Sequence, residues 1–164
     1  MTQPYILIML HCEQDTGYAI GTLEKVFEAA AIESGFPSEN ILWSYTKVSS
    51  PGEHIYELGY FAPEDALTLQ RIHRMHPIET ILAFDMPYPT LIARQAHKLG
   101  IKNIVSYWGA SMSSINKGVK LLAKKLEWYL RMKFAPTLFI FESEAMRLTA
   151  VSGRGVPKER TIVI

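Results

Sequence analysis

The chain has 164 residues, 48% of them hydrophobic, and its 17 basic and 16 acidic side chains leave a net charge of +1. That length fits one domain able to bury well over half of its unfolded surface, and the near-neutral balance argues against general nucleic-acid binding, which needs a strongly basic face. The lone cysteine, Cys12, cannot form an internal disulfide, so a reducing, cytoplasmic setting is the expectation.

The apolar run at 5–10 meets His11, Cys12 and Glu13 at once; it is too short for a membrane span or signal peptide and predicts a first buried strand. The segment HCEQDTGYAIGTLEK follows, with Gly17 and Gly21 bracketing a turn into a helix that places Ile20, Leu23, Phe27 and Ala30 on one face and ends near Gly35. A second strand is predicted at 41–45. The stretch 46–62 has no convincing period and carries Pro51-Gly52, so it is expected to be a long loop, flexible or functional. Pro63 with Glu64 and Asp65 starts a helix that His76-Pro77 ends, and a third strand is expected at 78–84. Pro89 is expected to open a helix containing Ile92, Ala93, Ala96 and Leu99 that Gly100 stops, before a fourth strand at 103–107.

A long helix near 115–133 shows Val119, Leu122, Leu126, Tyr129 and Leu130 as a core stripe, with Lys117, Lys120, Lys124 and Arg131 nearly opposite and Leu121 and Trp128 beside them. That basic and aromatic side reads either as a solvated face or as a surface for anionic lipid. The chain closes with a strand at 137–141, a helix capped by Ser143 and ended by Gly153, Gly155 and Pro157, and a strand at 161–164. Apolar runs of strand length alternating with helices predict an α/β domain: a Rossmann-like, open and mostly parallel sheet with helices on both faces. No internal repeat or linker divides it.

In such sheets ligands sit at the carboxyl ends of the strands. Gly17 and Gly21 there serve either a tight turn or a phosphate held on the free N–H groups of the helix start. Their spacing is not G-x-G-x-x-G, which disfavours a dinucleotide and leaves a nicotinamide oxidoreductase as the last-ranked reading. Asp85-Met86-Pro87-Tyr88-Pro89 and Tyr107-Trp108-Gly109-Ala110-Ser111-Met112-Ser113-Ser114 are expected to face one another across the sheet edge. Trp108 offers either a stacking plane or an amphipathic core-edge indole. Ser113 and Ser114 are candidate helix caps, and Glu142 and Glu144 suit a helix N-terminus and need not be catalytic. His73 and His76 lie one turn apart but lack companions for a zinc site. His11-Cys12 points in two directions and does not form a nucleophile pair. No metal is expected.

The closing wording FESEAMRLTAVSGRGVPKERTIVI resembles the end of the N-terminal domain of family-4-type glycosyltransferases, and YWGASMSS adds to the likeness. The resemblance implies one lobe of a GT-B fold spanning 1–164, which would use a nucleotide sugar and a hydroxyl acceptor, sugar or lipid-linked glycan, with retention and with no cofactor. By that resemblance Gly21, in Ile20-Gly21-Thr22-Leu23-Glu24, lies near the donor phosphates, where Ile20 replaces the first glycine of the family's pair. Trp108-Gly109 stands where the family shows His-Gly, and Ser143 matches a serine lining the cleft. Asp85, Trp108, Gly109, Ser111 and Ser143 are thus the expected acceptor cleft. Lys117, Lys120, Lys124, Trp128 and Arg131 form the candidate membrane face. The donor-binding lobe is expected to be missing, with its Glu-x7-Glu-like motif, so the chain alone is expected to be inactive. The alternative is a stand-alone binding or interaction module, either a truncated product or half of a split enzyme.

Overall fold

The computed structural model describes residues 3–112 and 115–164; Ser113 and Ser114, the candidate caps, lie outside them. Seven parallel strands form one sheet: β1 (Tyr5–Met9), β2 (Ile41–Tyr45), β3 (Ile55–Glu57), β4 (Ile78–Phe84), β5 (Asn103–Trp108), β6 (Leu138–Phe141) and β7 (Thr161–Val163), in the order β3-β2-β1-β4-β5-β6-β7. Five helices connect them: α1 (Tyr18–Glu33), α2 (Pro63–Met75), α3 (Leu91–Lys98), α4 (Gly118–Leu130) and α5 (Glu144–Arg154). The chain starts in mid-sheet, runs outward to β3, crosses back through α2 to β4 and continues to β7. Strand order therefore reverses between β1 and β4, the switch point at which an open sheet leaves a crevice.

The apolar strand runs serve both faces of the sheet. Leu7, Met9, Ile81, Ala83 and Ile104 pack against Leu69 and Ile72 of α2 and Ile92, Ala93 and Ala96 of α3. Phe139 and Phe141 continue that face and meet Trp128 of α4 and Ala150 of α5. On the opposite face, Ile6, Ile8 and Leu10 meet Phe27 and Ala31 of α1, so Ala31 fills the buried position expected for Ala30. Local chemistry sets the boundaries. The Thr90 hydroxyl accepts from the Ala93 N–H at 3.1 Å and Ser143 from the Met146 N–H at 3.3 Å, the N-terminal caps of α3 and α5. Gly155, at φ 73, closes α5 in the left-handed conformation.

Three expectations need correction. The stretch 46–62 is not a plain loop: Ile55–Glu57 adds β3 to β2, and Leu58 and Tyr60 are buried. Pro89 does not open a helix; it follows a cis peptide bond, and α3 starts only after Thr90. The third correction concerns α4, which is turned the other way round. Val119, Leu122, Leu126, Tyr129 and Leu130 are 57–83% exposed, whereas Trp128 is 2% exposed. Trp128 stacks on Tyr88 with ring centroids 3.8 Å apart and meets Phe139 edge-on at 5.8 Å. One indole held between two rings secures the helix more firmly than a row of leucines with nothing opposite.

Candidate functional site

The carboxyl ends of β1, β4, β5 and β6 gather the chemically capable side chains. At the switch point the crevice is plugged by Tyr60, whose hydroxyl lies 2.9 Å from the Met9 carbonyl oxygen and 2.6 Å from that of Phe84, joining β1 to β4. His11 stacks on Tyr60 at 4.6 Å. Burial holds the Tyr60 hydroxyl well above its ordinary pKa and pulls His11 below its own, the latter opposed by Asp65. Asp65 accepts from the Gly59 and Ala62 N–H groups, both at 3.0 Å, and so fixes the loop that delivers Tyr60.

Beyond β4 lies a hydrogen-bonded rim. Asp85 has φ 50, a conformation rare outside glycine and tolerated by Asp and Asn. Its N–H donates to the Tyr107 carbonyl at 2.8 Å, and its Oδ1 accepts from the Gly109 N–H at 3.1 Å. The Tyr107 hydroxyl donates to Glu142 Oε1 at 2.7 Å. Burial raises the Asp85 carboxyl, with the Gly109 hydrogen bond opposing and Glu142 adding to the rise. Burial and Glu142 together push the Tyr107 hydroxyl up to about 12. A Cβ at Gly109 would lie 3.1 Å from the Phe84 ring, a tight contact to which that ring would have to give way.

On the other flank of the sheet edge, Tyr88, Trp108 and Trp128 line a small cavity. The half-buried Trp108 turns its ring into the α4–α5 cluster, and its indole nitrogen is buried without a hydrogen-bond partner among the described residues.

Across the switch point, Gly17 has φ 118 and is the N-terminal cap of α1; the first turn carries no side-chain cap and no acidic residue. The Ile20 and Gly21 N–H groups donate to the Gly17 carbonyl at 3.2 and 3.4 Å, so it is the N–H groups ahead of them, with no side-chain cap, that an anion could use. Gly21 is inside that turn, with open space where a Cβ would stand. The preceding loop is tied down: Gln14 Oε1 accepts from the Ser49 and Ser50 N–H groups at 3.0 and 2.9 Å, and the Ser49 hydroxyl donates to Asp15 at 2.6 Å.

The structure thus brings Asp85 and Gly109 together, while the Trp108 ring turns away from them into the α4–α5 cluster. Ser143 lies at the next strand end with its oxygen engaged as a cap, and Ser111 is exposed on the loop after β5. Lys117, Lys120 and Arg131 are exposed on or beside α4, while Lys124 is half-buried and Trp128 belongs to the core, so Trp128 is not part of any outer face. Sequence reasoning missed Tyr60, the Tyr107–Glu142 pair and the burial of Trp128; strand-end position was the only signal for Glu142. His73 has a local role, its Nδ1 accepting from the Ile78 N–H at 3.2 Å. His76 packs against Tyr5 and His54 at the opposite end of the sheet. Among the described residues no group of three metal-ligating side chains occurs, and no helix is long and apolar enough to cross a membrane.

No protein-family model matches the chain, and no curated protein does. Among solved structures it is similar to a glycosyltransferase from Rickettsia africae ESF-5, with a TM-score of 0.63 and 12% identity; the likeness covers 99% of this chain and 43% of that one. The chain spans less than half the length of the protein it resembles, and at this identity the likeness establishes a shared α/β fold.

Proposed function

We propose that the chain is the N-terminal, acceptor-side lobe of a two-lobed GT-B glycosyltransferase, which moves a sugar from a nucleotide-sugar donor to a hydroxyl acceptor with retention of configuration. The observation that carries this reading is the rim of Asp85, Gly109, Tyr107 and Glu142 at the carboxyl edge of the sheet, in a fold similar to a known glycosyltransferase over 99% of the chain. Asp85 Oδ1 is held by the Gly109 N–H, which leaves the other oxygen to accept from an acceptor hydroxyl and orient it. Carboxylates accept hydrogen bonds and repel anions, so a neutral sugar hydroxyl suits this rim. The uncapped start of α1, at Gly17 and Gly21, suits the donor phosphates.

The second lobe, by the family resemblance, would hold the donor's base and sugar. The purified chain is therefore expected to fold, to bind nucleotide sugars weakly and to turn none over. A radiolabelled-donor hydrolysis and transfer assay tests this, and turnover of any nucleotide sugar by the chain alone contradicts it.

The exposed apolar face of α4 favours a second, compatible role in docking on an anionic membrane. Val119, Leu122, Leu126, Tyr129 and Leu130 face outward, and exposed Lys120, Lys125, Arg131 and Lys133 lie along the same segment to meet lipid phosphates. The contact face is thus apolar, with basic residues around it rather than at its centre. Co-sedimentation with phosphatidylglycerol vesicles at low salt, lost in Leu122→Ser/Leu126→Ser, is the expected result. Equal sedimentation of the variant contradicts it. Failure of transfer in the presence of a complete second lobe would instead favour the stand-alone interaction module.

A further inference from the structure

At the amino edge of the sheet, the start of β1, the start of β3 and the end of α2 meet in one cluster of rings. Tyr5 of β1 lies 4.8 Å from His76 and 6.1 Å from His54 between ring centroids, and the two imidazoles are 5.2 Å apart. Tyr56 of β3 closes the cluster, 6.3 Å from His76. One turn earlier on α2, His73 Nδ1 accepts from the Ile78 N–H at 3.2 Å and ties the helix end to the first residue of β4. Backbone bonds run through the same place: the Tyr5 N–H donates to the Pro77 carbonyl at 3.0 Å and the Trp43 N–H to the His54 carbonyl at 2.8 Å. Three half-buried histidines thus fasten β3 and α2 to the rest of the sheet.

These contacts suit neutral imidazoles and not imidazolium ions. A protonated ring carries hydrogens on both nitrogens, so the Ile78 N–H would lose its acceptor outright. Charging His54 and His76 together sets two like charges side by side. Glu53, just before His54, pulls the other way, as does the carbonyl end of α2. Arg71 and Arg74, on the same helix beside Tyr56, add positive charge, Tyr5 and Tyr56 supply rings alone, and Glu79, next on β4, lines the opposite face of the sheet. Burial decides the balance: it holds His73 and His76 below the ordinary imidazole value, with His54 adding to the fall at His76 and Glu53 opposing it. The stability contributed by such a histidine is full above the unfolded value of about 6.5 and is lost as pH falls from there to the lowered folded value.

We propose that this cluster is an acid-sensitive latch: uncharged His54, His73 and His76 hold β3 and the end of α2 in place, and their protonation frees that edge of the sheet while β5 and β6 stay paired. The far end of the same segment is fastened separately, by Tyr60 between the Met9 and Phe84 carbonyls and by Asp65 on the Gly59 and Ala62 N–H groups. A charged His11 beside Asp65 would tighten that end, so the release is confined to the amino edge. The inference stands apart from the glycosyltransferase reading, since it concerns the edge of the sheet opposite the Asp85–Glu142 rim and asks nothing of any substrate.

The test follows amide hydrogen exchange of the intact chain from about pH 7.5 to about pH 5, corrected for intrinsic exchange, a window that spans the ordinary imidazole value of about 6.5. Protection of Ile78, Trp43 and Tyr5 is expected to fall about 10-fold, the equivalent of one lost hydrogen bond. Thr137, whose N–H donates to the Ile104 carbonyl at 2.7 Å where β5 meets β6, is expected to change little. His73→Gln/His76→Phe keeps an acceptor and a ring but neither charge, and is expected to flatten the pH dependence. Histidine titration by NMR in the parent chain gives a second readout that needs no variant: His73 and His76 are expected to titrate below the ordinary value, in step with the loss at Ile78. An equal fall at Thr137, no fall at Ile78, a pH dependence that persists in the folded double variant, or His73 and His76 titrating at or above the ordinary value overturns the proposal.

Discussion

The orientation of α4 decides what this domain shows to its surroundings, and single substitutions read it directly. Trp128 is 2% exposed and packs between Tyr88 and Phe139, so Trp128→Ala removes a fully buried indole and both ring contacts. Such truncations cost about 3–5 kcal/mol. Leu122 and Leu126 are 68% and 57% exposed, and Leu122→Ala and Leu126→Ala are each expected to stay within about 0.5 kcal/mol of the parent chain. In a domain of this size each kcal/mol moves the thermal midpoint by about 2–4 °C, so the two classes differ by roughly 6–20 °C against less than about 2 °C. Urea unfolding followed by far-ultraviolet circular dichroism, which does not rely on the removed tryptophan, gives the free energies. Costs above about 2 kcal/mol for both leucines, with a near-neutral Trp128→Ala, would mean that the helix packs through its leucine stripe instead.

Tyr60→Phe deletes the hydroxyl that joins the Met9 and Phe84 carbonyls, and a loss of about 1–3 kcal/mol in urea unfolding is expected. Gly109→Ala places a methyl 3.1 Å from the Phe84 ring; a destabilisation of about 1–3 kcal/mol, with movement of the Asp85 and Tyr107 amide resonances, is the expected outcome. Asp85→Asn keeps the tolerated positive φ and cannot ionise. Because the folded chain raises the Asp85 carboxyl, the stability that its proton contributes is full below the unfolded pKa of about 3.9 and is lost as pH rises through the folded value. The variant should therefore match the parent in acid and gain on it toward neutral pH; a thermal-midpoint difference that is flat or falls with pH contradicts the environment assigned to this carboxyl.

Much of the sheet was legible because parallel strands buried between layers read as unbroken apolar runs, and YILIM, ILWSY and ILAF do. β3 did not, since two half-covered residues and an exposed one, Ile-Tyr-Glu, give no period. α4 failed for a different reason. Its wheel offers two faces, and the choice was made by Tyr88, 40 positions earlier in a loop after β4, which no local pattern connects to Trp128. Asp85 and Gly109 were singled out because strand ends are where open sheets bind ligands. Tyr60 was not, because a loop tyrosine reaching into the switch point leaves no mark on spacing or periodicity.

The most direct test of the acceptor-side assignment is amide chemical-shift mapping of the intact chain against a panel of neutral saccharides, with a nucleotide sugar and a nicotinamide dinucleotide as comparisons. A saccharide is expected to move the resonances of Asp85, Trp108 and Gly109, while either nucleotide leaves them nearly unchanged. A carboxyl edge silent to every saccharide, together with micromolar nicotinamide dinucleotide binding around Gly17 and Gly21, would contradict it.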